Sequence, residues 1–84
     1  SYSESRNENE ILDDYKKEMS NFIVKGLEIC EISLRQLARE TNYDVSYLSR
    51  LKNCKVENIS LKQIARLQVA ISKAISKTYY GESV

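Results

Sequence analysis

With 84 residues and 9.7 kDa, 42% hydrophobic and 30% charged, the chain has room for one small domain and none for a second. It contains no His, two Cys and two Gly, which excludes a Ser-His or Cys-His nucleophile, a closed zinc site and a glycine-rich phosphate cradle. Thirteen Lys and Arg against 12 Asp and Glu leave a net +1, a total that by itself argues against nucleic acid, whose binders usually carry an evident basic excess.

The absence of proline and the recurrence of apolar positions at three and four predict an all-α chain. Residues 1–10 are polar, hold one aromatic and have little to bury, so they read as a disordered leader. A folded domain is expected over 11–80, with 81–84 as a tail. From Ile11 onward, Leu12, Tyr15, Met19, Phe22, Ile23 and Leu27 share one stripe and predict a first helix ending near Cys30. Ser33 followed by Gln36 is a capping-box start for a second helix, which runs through Leu37 and Ala38 to about Thr41. Asn42 tolerates the left-handed conformation that stops it. Asp44 is the expected N-cap of a third helix, Val45 to about Lys52, which buries Leu48 and Leu51 and is ended by Asn53. After a polar linker from Cys54 to Ile59, Ser60 and Gln63 repeat the box. A long fourth helix follows, with Leu61, Ile64, Leu67, Ile71, Ile75 and Tyr79 on its core face and Gly81 as its stop. The octets SLRQLARE (33–40) and SLKQIARL (60–67) resemble each other through shared helix-start chemistry rather than duplication.

Cys30 lies on the core stripe and is expected to pack there, and Cys54 to be a solvated linker thiol. Two free thiols without a recognisable secretory leader fit a reducing cytoplasm. No apolar run approaches the ~20 residues that span a bilayer, so no membrane association is expected.

Residues 34–52 read jointly as helix, tight turn and helix. Ala38 is small where the two helices cross, Asn42 takes the turn, and Leu37, Tyr43, Leu48 and Leu51 fill the wedge between them. The outer face of the third helix then presents Val45, Ser46, Tyr47, Ser49 and Arg50 without one acidic residue, a surface suited to a major groove. Tyr47 either lines the groove or packs at the domain edge.

In the stretch ISLRQLARETNYDVSYLSRLKNCKVENISLKQIARLQVAI, from Ile32 to Ile71, the chain resembles the Xre family of Cro/repressor-like helix-turn-helix domains. The likeness rests on Ser33, Leu37-Ala38, Asn42-Tyr43-Asp44, Ser46 to Leu51, Asn53, Lys55, Ser60-Leu61, Ile64, Leu67 and Ile71. It implies a compact four- or five-helix bundle that binds operator DNA as a dimer, with the third helix in the major groove. The family's turn glycine is replaced by Asn42, its glycine after the recognition helix by Cys54, and its proline before the fourth helix by Ile59. The Arg and Glu that the family pairs between its first and third helices read here as Leu27 and Lys52, which predicts Leu27 inward and Lys52 turned to solvent or phosphate.

Charge is segregated. Residues 1–24 hold three basic and six acidic side chains, and residues 25–84 hold ten and six, giving −3 and +4. Arg50 is the candidate for bidentate readout of guanine, Ser46 a smaller donor and acceptor, and Val45 a contact for a thymine methyl. Ser33, Arg35, Arg39, Lys52, Asn53, Lys55 and Lys62 are the phosphate candidates.

The expected function is a sequence-specific DNA-binding transcriptional regulator of bacterial or phage type, a repressor that occupies a promoter and is not an enzyme. Its partner is double-stranded DNA; no cofactor, metal or small-molecule effector is expected. The first helix extends upstream to Ile11 and the fourth onward to Tyr79, offering apolar surface for a homodimer. The alternative is a protein-interaction module on the same scaffold, such as an antitoxin, anti-activator or conjugation-control factor. Low total charge and the apolar extensions favour it, and the acid-free face of the third helix disfavours it.

Overall fold

The computed structural model describes residues 7–81. All regular structure among them is helical: α1 Glu8–Cys30, α2 Leu34–Thr41, α3 Val45–Lys52 and α4 Leu61–Tyr80. The bundle is all-α, with four helices among the described residues.

The first helix starts at Glu8 and not at Ile11. The Asn7 carboxamide accepts from the Glu10 amide at 2.9 Å, and the Glu10 carboxylate accepts from the Asn7 amide at 3.2 Å. This is the same reciprocal box as at Ser60, written with Asn and Glu, so residues 8–10 of the polar leader are helical. Residues 1–6 and 82–84, which hold the rest of the leader and most of the tail, lie outside the described residues. At α2 only the forward half of the expected box forms: Ser33 Oγ accepts from the Gln36 amide at 3.1 Å. At α4 both halves form, at 3.2 and 2.9 Å.

The buried core consists of Met19 and Ile23 from α1, Leu37 and Ala38 from α2, Leu48 and Leu51 from α3, Ile59 from the linker, and Ile64, Leu67, Ile71 and Ala74 from α4. Three side chains expected in it lie outside: Tyr15, Leu61 and Tyr79 are exposed. Ile59, expected at the end of a polar linker, is buried, and it anchors the segment that carries the chain from α3 to α4. Leu27 is half-buried against the core.

Helices α1 and α4 run side by side in the same direction. Ile11 and Leu12 meet Ser60 and Leu61 at one end, Tyr15 to Phe22 meet Ile64 and Gln68 in the middle, and Gly26 meets Ile75 near the other end. Gly26 sets the spacing there, since a Cβ on it would sit 2.3 Å from Ile75 Cδ1. Cys30 Sγ donates to the Ile75 carbonyl at 3.5 Å, so this thiol packs as expected.

Against this pair lie α2 and α3. Glu40 at the end of α2 bridges to Lys77 of α4 at 3.7 Å. On the other flank, Ser20 Oγ of α1 donates to the Lys52 carbonyl at the end of α3. That bond ties the two helices that the missing Arg–Glu pair would have joined. Lys52 itself is half-buried rather than turned wholly outward.

Candidate nucleic-acid interface

The α2–α3 corner is built from its turn upward. Asn42 adopts φ 63°, the left-handed conformation that Asn tolerates better than other non-glycine residues. Thr41 Oγ1 donates to the Leu37 carbonyl at 2.8 Å and accepts from the Tyr43 amide at 3.4 Å. It thereby satisfies groups that the helix end and the turn leave open. The sequence reading missed Thr41, although a Thr in the last turn of a helix is placed to reach a carbonyl four residues back. Asp44 holds the N-cap position with extended backbone, but its carboxylate makes no capping hydrogen bond.

The far end of α3 closes with a left-handed residue flanked by two backbone bonds. The Cys54 amide donates to the Leu51 carbonyl at 3.1 Å and the Lys55 amide to the Arg50 carbonyl at 2.7 Å, with Cys54 at φ 58°. This is the closure that glycine usually makes, so Cys54 carries a backbone cost. Cys54→Gly is therefore expected to stabilise the domain by about 0.5–1 kcal/mol, measured as a higher urea midpoint at unchanged slope. The Cys54 thiol is exposed and lies 3.9 Å from the Lys16 carbonyl.

Between these two ends α3 turns Leu48 and Leu51 into the core and leaves Ser46 and Arg50 exposed. Val45, Tyr47 and Ser49 are half-buried, and Val45 and Tyr47 pack against the core. The Tyr43 and Tyr47 rings are tilted at 39° with centroids 6.1 Å apart, and the Arg50 guanidinium carbon sits 5.8 Å from the Tyr47 centroid. Tyr47, backed by Tyr43, thus forms a platform that holds the Arg50 fork by a cation–π contact. Burial pushes the Tyr47 phenol above the ordinary tyrosine range; Tyr43 adds to the rise and the Arg50 charge opposes it. The phenol is neutral at physiological pH and available as a hydrogen-bond donor.

Arg35, Arg39 and the turn residues Asn42, Tyr43, Asp44 and Val45 line one open groove beside α3. Arg35, Arg39, Asn53 and Lys55 are exposed, while the Ser33 hydroxyl is engaged as the cap of α2. Lys62 lies elsewhere, along a shallow groove on the outer face of α4 with Arg66, Val69 and Lys73. Among the described residues no cluster of His, Cys, Asp or Glu is arranged to hold a metal, and no helix is long and apolar enough to cross a membrane.

Residues 27–75 match the profile of the Cro/C1-type helix-turn-helix DNA-binding domain, and that span is more than half of the chain. The chain belongs to this family. Comparison with curated proteins returns no match, and comparison with solved structures returns none. The matched span opens at Leu27 in the last turns of α1 and closes at Ile75 in α4. Most of α1 thus lies upstream of the Cro/C1-type unit. A DNA-binding regulator is the function this family supports.

Proposed function

We propose that this Cro/C1-type domain is a sequence-specific transcriptional repressor of bacterial or phage type. It acts in the cytoplasm as a homodimer by occupying promoter DNA. The observation that carries this reading is the outer face of α3, where Arg50 stands exposed on the Tyr43–Tyr47 platform beside a groove edged by Arg35 and Arg39. A guanidinium held in that way offers its bidentate fork to guanine with less side-chain freedom left to lose. Ser46 stands one turn earlier for a second base-edge contact, and Val45, Tyr47 and Ser49 sit deeper along the same helix. Arg35, Arg39, Asn53 and Lys55 bracket α3 and contact phosphates, with Ser33 and Lys52 at the margins and Lys62 apart from them on α4.

Selection of bound sequences from random DNA, followed by titration of the selected fragment at two salt concentrations, tests the reading. A shared sequence motif and affinity that falls steeply with salt are expected. Absence of binding at low salt overturns it.

A further inference from the structure

We propose that the seam between α1 and α4, on the side of the molecule away from α3, is a self-complementary interface that pairs two copies antiparallel. Along α1, Ile11, Tyr15, Glu18, Phe22, Lys25 and Ile29 follow one another at alternating steps of four and three. They form a second stripe beside the one that carries Met19, Ile23 and Gly26 into the core. Fifty residues later the same spacing runs along α4 from Leu61 through Gln68 and Ile75 to Tyr79. Because the two helices are parallel, the stripes lie next to each other. Of the seven large apolar side chains exposed among the described residues, five flank this seam: Ile11, Tyr15 and Ile29 on α1, and Leu61 and Tyr79 on α4. Ile29 and Tyr79 are 57% and 58% exposed. That concentration on one face is unusual for a surface meant to meet only water.

The charge pattern names the occupant. Glu18 and Lys25 are exposed on the α1 stripe, stand two helical turns apart and have no ion-pair partner within the described chain. Two turns are too far for them to pair with each other. A second copy laid antiparallel sets its Lys25 opposite Glu18 and its Glu18 opposite Lys25, with Phe22 near the two-fold axis. The same operation brings Ile11 and Leu61 at one end within about 5 Å, measured along the helix axis, of the level of Ile29 and Tyr79 of the second copy. A parallel pairing would instead lay Glu18 on Gln68 and Lys25 on Ile75, desolvating both charges without partners. The stripe is about 27 Å long at 1.5 Å per residue. Two helices wide, it buries on the order of 1,000 Å² over both copies, near the lower limit of specific interfaces. The dimer is accordingly reversible, with a micromolar Kd.

The placement of the seam has a functional outcome that rests on the DNA-binding reading. Lys16 and Ser20, which touch the end of α3 and the turn after it, project from the opposite side of α1 to Ile11, Glu18 and Ile29. The seam therefore leaves the outer face of α3 uncovered in both copies, free to meet DNA.

Sedimentation equilibrium of the full chain, with circular dichroism to verify folding, tests the interface. Wild-type protein is expected to dimerise in the micromolar range. Glu18→Lys alone and Lys25→Glu alone should each raise Kd about tenfold, and the double variant should restore it to within a few-fold. A wild-type monomer at 200 µM that still binds DNA overturns the pairing and leaves the DNA reading standing. A dimer indifferent to either reversal overturns the seam.

Discussion

Arg50→Ala is expected to weaken binding to the selected DNA by about 10- to 100-fold, the range spanned by loss of one good bidentate base contact. The effect should be concentrated on the preferred sequence. Non-specific DNA, held through phosphates, should lose far less, so the ratio of specific to non-specific affinity collapses along with the absolute value. Arg50→Lys keeps the charge but not the planar fork and should recover only a small part of the loss. Lys55→Ala is the contrasting variant: it should weaken all sequences alike and reduce the salt slope by about one. A loss at Arg50 that is equal on specific and random DNA would reassign its guanidinium to the backbone. Fluorescence anisotropy with both duplexes at two salt concentrations separates these outcomes.

Leu48→Ala is expected to be the most damaging change to the fold. Leu48 is wholly buried on the inner face of α3, in the same core as Leu37 of α2 and Ile23 of α1. Removing its three outer carbons should cost about 3 kcal/mol in lost transfer energy and residual cavity. In a domain of this size that is a large share of the total, and it should lower Tm by about 12–20 °C. Leu48→Met, which nearly conserves volume, should cost less than about 1.5 kcal/mol. Urea unfolding followed by circular dichroism gives both numbers. Because Leu48 also fixes the angle of α3, DNA affinity measured well below the lowered Tm should fall in the Ala variant even though the residue faces no ligand.

Local chemistry made most of the helix limits readable. Ser33 and Ser60 each precede a Gln by three positions and both cap a helix, Ser60 with the full reciprocal box and Ser33 with its forward half, and Asn42 stops α2 in the left-handed conformation. The start of α1 is equally present in Asn7 and Glu10, but the polar, aromatic-poor composition around them reads as disorder and hides their capping signal. The core was less readable, because α1 carries two adjacent stripes of identical period. Spacing alone assigned Tyr15 to the same face as Met19, whereas packing against α4 leaves Tyr15 outside. Leu61 and Tyr79 failed in the same way on α4. Gly26 shows the reverse case: in a sequence it reads as a weak point in a helix, yet between packed helices its missing side chain is what lets α1 and α4 approach.

The candidate site divides similarly. The chemical character of α3, with Ser46 and Arg50 outward and no acid along it, follows from residue identity and a period of 3.6. The platform under Arg50 is local as well, since Tyr47 stands four residues after Tyr43 and three before Arg50, a spacing that sets the three side by side at the start of α3. By contrast, nothing in the sequence joins Ser20 to the Lys52 carbonyl, a bond between groups brought together only when α1 crosses the end of α3.

The sequence by itself determined the four helices and most of their ends, the helix-turn-helix between Leu34 and Lys52, and the split of a bland +1 into an acidic first helix and a basic remainder. Those properties belong to single helices and turns and need only neighbours a few residues away. Only the tertiary structure decided which stripe of α1 faces inward, how closely α1 and α4 approach at Gly26, and where the exposed apolar side chains converge. Each of those is set by contacts between segments distant in the chain, and two stripes of equal period remain equivalent until a second helix packs against one of them.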